Sequence, residues 1–96
     1  MGRHKIPRNI CGTPADSCFK PNGIPISQLQ QLHLALDEFE ALRLVDLEGL
    51  QQQEAAIVMG ISRQTLANLV KKARAKVVDC LVNGKALIMH PHDDKE

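Results

Sequence analysis

Aromatic side chains are almost missing from this 96-residue chain, which has two Phe and neither Trp nor Tyr. Any core must therefore be aliphatic, drawn from an apolar content of 44%. No run of about 18 apolar residues occurs, which argues against a membrane-spanning helix. The basic stretch 1–8 is not followed by the apolar segment of a signal peptide, so a cytoplasmic protein is expected. Three cysteines without a secretion signal are read as thiols rather than disulfides. A Gly-rich phosphate loop and a nucleophile motif are both lacking, and no enzyme is expected. The chain also lacks a large charge excess, its formal net charge being +1. One domain is what this length supports.

What the total charge hides is its distribution. Residues 37–54 carry Asp37, Glu38, Glu40, Asp46, Glu48 and Glu54 against Arg43 alone. Residues 63–76 carry Arg63, Lys71, Lys72, Arg74 and Lys76 with no acid. Binding to a phosphate backbone depends on local charge, so the second block restores nucleic acid as a partner.

The stretch 52–69 explains where that block sits. Two short amphipathic segments meet at Met59-Gly60-Ile61-Ser62. Gly60 suits the positive φ that ends a helix, Ile61 can plug the gap between helices, and Ser62 is a preferred N-cap. Ala55, Ala56 and Met59 offer small or pliable groups for a close crossing, and Leu66 and Leu69 turn inward afterwards. This is the pattern of a helix-turn-helix, whose second helix enters the major groove. Arg63 suits guanine, Gln64 and Asn68 suit adenine, and Thr65 suits a phosphate or a thymine methyl. Lys71 and Lys72 are placed for phosphates, with Arg74 and Lys76 further along. Gln52, opening the preceding helix, suits another phosphate, and Ser62 stands at the start of the reading helix.

Around this unit, residues 1–36 are expected to form an irregular arm packed on the body. Pro7, Pro14, Pro21 and Pro25 forbid a long helix there, while Ile6, Ile10, Phe19, Ile24 and Ile26 are too apolar for a loose tail. Residues 37–89 form the DNA-binding domain. Its first helix is predicted from about Glu38 to Glu48, with Asp37 as N-cap and Glu40 completing a capping box. A second helix spans Gln52–Met59. The third follows Ser62 and is long, because Leu66, Leu69, Val70, Ala73, Val77, Cys80 and Leu81 keep a helical period. Asn83-Gly84 stops it, Ala86–Met89 is a short apolar tag, and 90–96 is a flexible tail. The fold class is thus all-α, a tri-helical helix-turn-helix with an irregular N-terminal arm.

Other sites carry less. Cys11 and Cys18 are too widely spaced for a compact zinc site, and His4, His33, His90 and His92 are scattered, so no metal or cofactor is expected. The acids of 37–40 are explained by a helix start.

Residues 37–82 resemble region 4 of bacterial sigma factors. The shared stretches are Asp37-Glu38-Phe39-Glu40-Ala41-Leu42-Arg43-Leu44, Leu47-Glu48-Gly49-Leu50, Glu54-Ala55-Ala56, Met59-Gly60-Ile61-Ser62-Arg63-Gln64-Thr65 and Ala73-Arg74-Ala75-Lys76. Residues 3–89 are similar to an uncharacterised prokaryotic family of small predicted DNA-binding proteins, through Cys11-Gly12, Phe19-Lys20-Pro21-Asn22-Gly23-Ile24-Pro25 and Leu81-Val82-Asn83-Gly84-Lys85-Ala86-Leu87. The resemblance implies sequence-specific binding of double-stranded DNA and transcriptional regulation. One departure is Gln51, where sigma-like chains usually place Ser or Thr; this weaker N-cap costs about 1 kcal/mol. Two other readings stand beside DNA binding. One is a protein-interaction module docking on the transcription machinery through its acidic first helix. The other is a metal- or redox-sensing regulator using Cys11 and Cys18. A homodimer or a contact with RNA polymerase is the further partner envisaged, since one small module buries little.

Overall fold

Four-residue β pairing joins residues 31–34 to residues 86–89 beside a three-helix body. The computed structural model describes residues 18–89. In chain order these form β1 (Cys18–Phe19), a 3₁₀ turn (Ile26–Gln28), β2 (Gln31–Leu34), α1 (Leu36–Leu42), a π-helical turn (Arg43–Leu47), α2 (Gln52–Met59), α3 (Arg63–Asn83) and β3 (Ala86–Met89).

The expected all-α class is corrected by a small sheet of order β1-β3-β2. Ala86–Met89, read as an apolar tag, is its central strand. It pairs in parallel with β2, Gln31 opposite Ala86 and Leu34 opposite Met89. On its other edge it runs antiparallel to β1, Cys18 opposite Ile88. Its Leu87 and Met89 pack into the core, and none of its four residues is exposed, in keeping with an all-apolar strand. The boundary expected between arm and domain at 36/37 is therefore crossed by strand pairing. The first half of the expected arm, residues 1–17, and the tail, 90–96, lie outside the described residues.

The helices bury two neighbouring sets of side chains. Ala41, Leu44, Ala55, Ala56, Met59, Leu66 and Val70 pack where α1, α2 and α3 meet, with Ile61 against them. Leu34, Ala73 and Met89, with Phe39, Leu42 and Leu87, pack the sheet onto α1 and α3. No aromatic ring is among the fully buried side chains; Met59, Leu66 and Val70 fill that role.

The first helix begins two residues earlier than expected. Its N-cap is Ala35, whose N–H donates to Glu38 Oε1 at 3.0 Å, so Glu38 rather than Glu40 closes the first turn. Glu40 is instead fully buried, accepting from Arg43 Nε at 3.0 Å and Nη2 at 2.9 Å. Arg43 opens the π turn and also reaches Glu48 at 3.2 Å. A buried carboxylate is tolerable only with such a partner. Before β2, the 3₁₀ turn has Pro25 at its N-cap.

Candidate nucleic-acid interface

The corner between α2 and α3 is built by local chemistry. Gly60 adopts φ 71° and ψ 34°, a left-handed conformation that carries no Cβ penalty in glycine. Its N–H and that of Ile61 close back on α2, Ile61 donating to Ala56 O at 3.0 Å. Such bonds satisfy carbonyls that a helix end would otherwise leave without partners. Ser62 then caps α3: its Oγ accepts from Thr65 N at 3.0 Å and donates to Thr65 Oγ1 at 2.9 Å. Ser62, named with the DNA-binding residues, thus has its hydroxyl engaged in the first turn.

Beyond the corner, α3 buries Leu66, Val70, Ala73 and Cys80 along one stripe. Gln64, Asn68, Lys71 and Ala75 follow one another at spacings of four, three and four, so they share a face. Thr65 and Lys72 border it. All six are exposed, while Ala67 is half-buried. Arg63, also exposed, flanks the row at the first helical position. The side chains of Arg63, Gln64, Asn68, Lys71 and Lys72 make no bond to other described residues. The face therefore offers amides and cations to an outside partner without first breaking an internal contact.

The basic block, uniform in sequence, divides in space. Arg74 is bound two-point to Asp46, Nη2 to Oδ1 at 2.7 Å and Nε to Oδ2 at 3.0 Å. Lys76 Nζ donates to Glu38 Oε1 and to His33 O, both at 2.7 Å. These two cations fasten α3 to the π turn, to α1 and to β2. Lys71 and Lys72 remain outward. Composition carries no signal of this division, which depends on which acids the fold brings opposite.

Gln52 is the first residue of α2 and half-buried. Its helix start lacks a side-chain cap from Gln51, as the weak N-cap implied, but Glu54 Oε1 accepts from Gln51 N at 2.9 Å. That carboxylate, at the start of α2, weakens the electrostatic argument for Gln52 as a phosphate contact.

The acidic segment is likewise taken up internally. Glu38 faces Lys76, Glu40 and Glu48 face Arg43, and Asp46 faces Arg74. Cys18 is half-buried and Cys80 buried, both as free thiols. Burial first, and the charge of Asp79 second, push the Cys80 thiol up. Among the described residues no three His, Cys, Asp or Glu side chains gather as a metal site, and Cys11 lies outside them. No helix among them is long and apolar enough to cross a membrane.

Comparison with known proteins gives relatives along the whole chain. A UPF0251 protein from Aeromonas salmonicida is 73% identical over 93 residues, covering 97% of this chain and 91% of the relative. A UPF0251 protein from Vibrio cholerae is 64% identical over 95 residues, covering 99% and 97%. One from Vibrio vulnificus is 54% identical over 97 residues, covering 100% and 97%. No solved structure gives a significant match. The family model described as "Protein of unknown function DUF134" matches residues 1–95, and the chain belongs to that family.

Proposed function

We propose that this protein binds double-stranded DNA sequence-specifically through a helix-turn-helix of the sigma region-4 type, formed by α2, the Gly60–Ser62 corner and α3, and that it regulates transcription. The observation that carries the reading is the outer face of α3. Its first three turns present Arg63, Gln64, Thr65, Asn68, Lys71 and Lys72 with no acid among them. Amides at the N-terminal end suit base edges, and lysines one to two turns on suit phosphates. The protein acts as a binder, without a catalytic step or a cofactor.

The rival reading, an acidic first helix docking on a protein, loses ground because its carboxylates are paired within the chain. Selection of duplexes from a random pool, followed by fluorescence anisotropy, tests the proposal. The expected result is an enriched motif whose affinity falls steeply with salt and falls again when Asn68 becomes Ala. Recovery of no motif, with weak binding equal for all duplexes, would sink it.

A further inference from the structure

The C-terminal half of α3 carries an apolar ridge that no described residue covers. Val78 is 52% exposed, Leu81 77% and Val82 73%. Three large apolar groups within five residues mark a contact surface more readily than scattered ones do.

We infer that this ridge receives a second copy of the chain, the two α3 helices packing antiparallel about a two-fold axis at Val78. The inference rests on the DNA-binding reading for its purpose, and on the ridge for its geometry. Three observations select a second copy as the occupant.

Shape is the first. Antiparallel pairing about Val78 sets Val78 against its own mate and Leu81 against Ala75. Ala75 is exposed and small, so a large side chain meets a gap. Val82 lies against the stem of Arg74, whose head group is already held by Asp46.

Charge is the second. Asp79 at the ridge is paired with Lys85 at 2.9 Å and accepts from Asn83 at 2.7 Å. Arg74 is paired with Asp46. Asp79 and Arg74 thus bring their own counter-ions to the contact, while Lys71, seven residues from Val78 and on the same side of α3, brings none and lies about 10 Å along the helix from the axis.

Reach is the third. The base-reading residues, Gln64 to Asn68, are centred near position 66, about 18 Å along the helix from Val78 at 1.5 Å per residue. Two such arms, offset by a helix–helix spacing of about 9 Å and crossed by 20–50°, place the reading faces roughly 34–37 Å apart. One turn of B-DNA separates half-sites by about 34–36 Å. Direction agrees as well. At roughly 100° per residue, the ridge points about a quarter-turn from the mean direction of Gln64, Thr65, Asn68, Lys71 and Lys72. A two-fold axis perpendicular to the helices then turns both reading faces to the same side. The buried stripe, Leu66, Val70, Ala73 and Cys80, points roughly 120° or more from both, leaving the body clear.

Three side chains supply less than the roughly 800 Å² per partner of a standard interface. The dimer in free solution is therefore weak, and two half-sites on one duplex strengthen it by holding the copies together.

The test uses the full chain and two readouts. Sedimentation up to about 1 mM should show a monomer–dimer equilibrium, with the dimer fraction falling at least tenfold in Leu81→Glu and in Val78→Glu. Both sites are exposed, so circular dichroism and melting temperature should not change. A monomer at every concentration overturns the inference. So does a dimer that both variants leave intact. A monomer whose melting temperature drops in both variants means that a segment of the same chain covers the ridge, which also overturns it. Duplexes with half-sites centred about 10 bp apart should bind cooperatively, and those at about 15 bp should not. Cooperativity indifferent to spacing overturns the geometry. A chain that dimerises through the ridge yet binds no duplex keeps the interface and defeats the DNA reading instead.

Discussion

Arg74 and Asp46, 28 residues apart in sequence, form a two-point ion pair that fastens the middle of α3 to the π turn. The guanidinium that looked like a phosphate contact is thereby turned to a structural use. Hydrogen bonding from Arg74 outweighs the opposing effect of burial and, with a lesser contribution from the guanidinium charge, holds the Asp46 carboxyl below the usual aspartate range. A lowered carboxyl stabilises the fold above its unfolded pKa, and that stability is lost as pH falls through the folded one. Asp46→Asn should therefore cost little at neutral pH, at most about 1 kcal/mol for so exposed a pair. The difference from wild type should shrink as pH falls below the ordinary aspartate pKa of about 3.9. Urea melts at pH 7 and pH 3 check this; an equal difference at both would contradict it.

Lys72 and Lys76 stand one helical turn apart and should behave in opposite ways. Lys76 holds the buried Glu38 and the His33 carbonyl, both at 2.7 Å. Lys76→Ala leaves a buried carboxylate that keeps the Ala35 N–H but loses its ion-pair partner, which costs about 2–3 kcal/mol. Lys72→Ala touches no internal contact and should leave the melting curve unchanged while weakening DNA binding. Thermal melts and anisotropy on both variants decide. Equal loss of stability in the two would refute the division of the basic block.

Glu40 and Arg43 make a similar demand. Glu40 has no exposed surface and accepts two bonds from one guanidinium. Removing Glu40 takes two charge-assisted bonds from a partly buried guanidinium that keeps Glu48, which should cost about 1.5–3 kcal/mol. Glu40→Ala should therefore unfold at a lower denaturant midpoint than Glu54→Ala, whose carboxylate is exposed. A shift no larger than that of Glu54→Ala would mean that the pair is solvated.

Local chemistry was readable where it acts over a few residues. Gly60 and Ser62 set the corner by their own conformational and hydrogen-bonding preferences, and α2 and the start of α3 fall as the sequence predicts. The sheet was not readable in the same way. Gln31–Leu34 and Ala86–Met89 pair across most of the chain, and four residues of each are too few for a decisive period. The alternation Gln31-Leu32-His33-Leu34 is the one signal that was available. At α1 the capping pattern fits both Asp37 with Glu40 and Ala35 with Glu38. Burial of Glu40 against Arg43 selects the second. On the candidate face, Gln64, Asn68, Lys71 and Lys72 could be placed outward by spacing alone. Arg74 and Lys76 could not, since their acids come from α1 and the turn after it.

That difference makes the salt dependence of DNA binding a quantitative check. Five cations lie between 63 and 76, but Arg74 and Lys76 are held internally, leaving Arg63, Lys71 and Lys72 for phosphates or base edges. Counterion release gives a slope of log K against log salt of about −0.9 per phosphate neutralised. Each bound copy should thus show a slope near −2 to −3, where all five cations together would give about −4.5. Lys71→Ala and Lys72→Ala should each flatten it by about one unit per copy, while Arg74→Ala and Lys76→Ala, measured where they remain folded, should leave it in place. Arg63 separates the two kinds of contact: if it reads guanine, Arg63→Ala relaxes one base position, with a loss of about 1–3 kcal/mol on the preferred duplex. If it binds only phosphate, affinity falls equally on every duplex. Titration of wild type and the five variants on one selected duplex, followed by the same titration on a duplex altered at single positions, distinguishes these outcomes. A slope near −4.5 that Arg74→Ala reduces would show that the ion pair with Asp46 opens on DNA and that the internal division of the block does not persist in the complex.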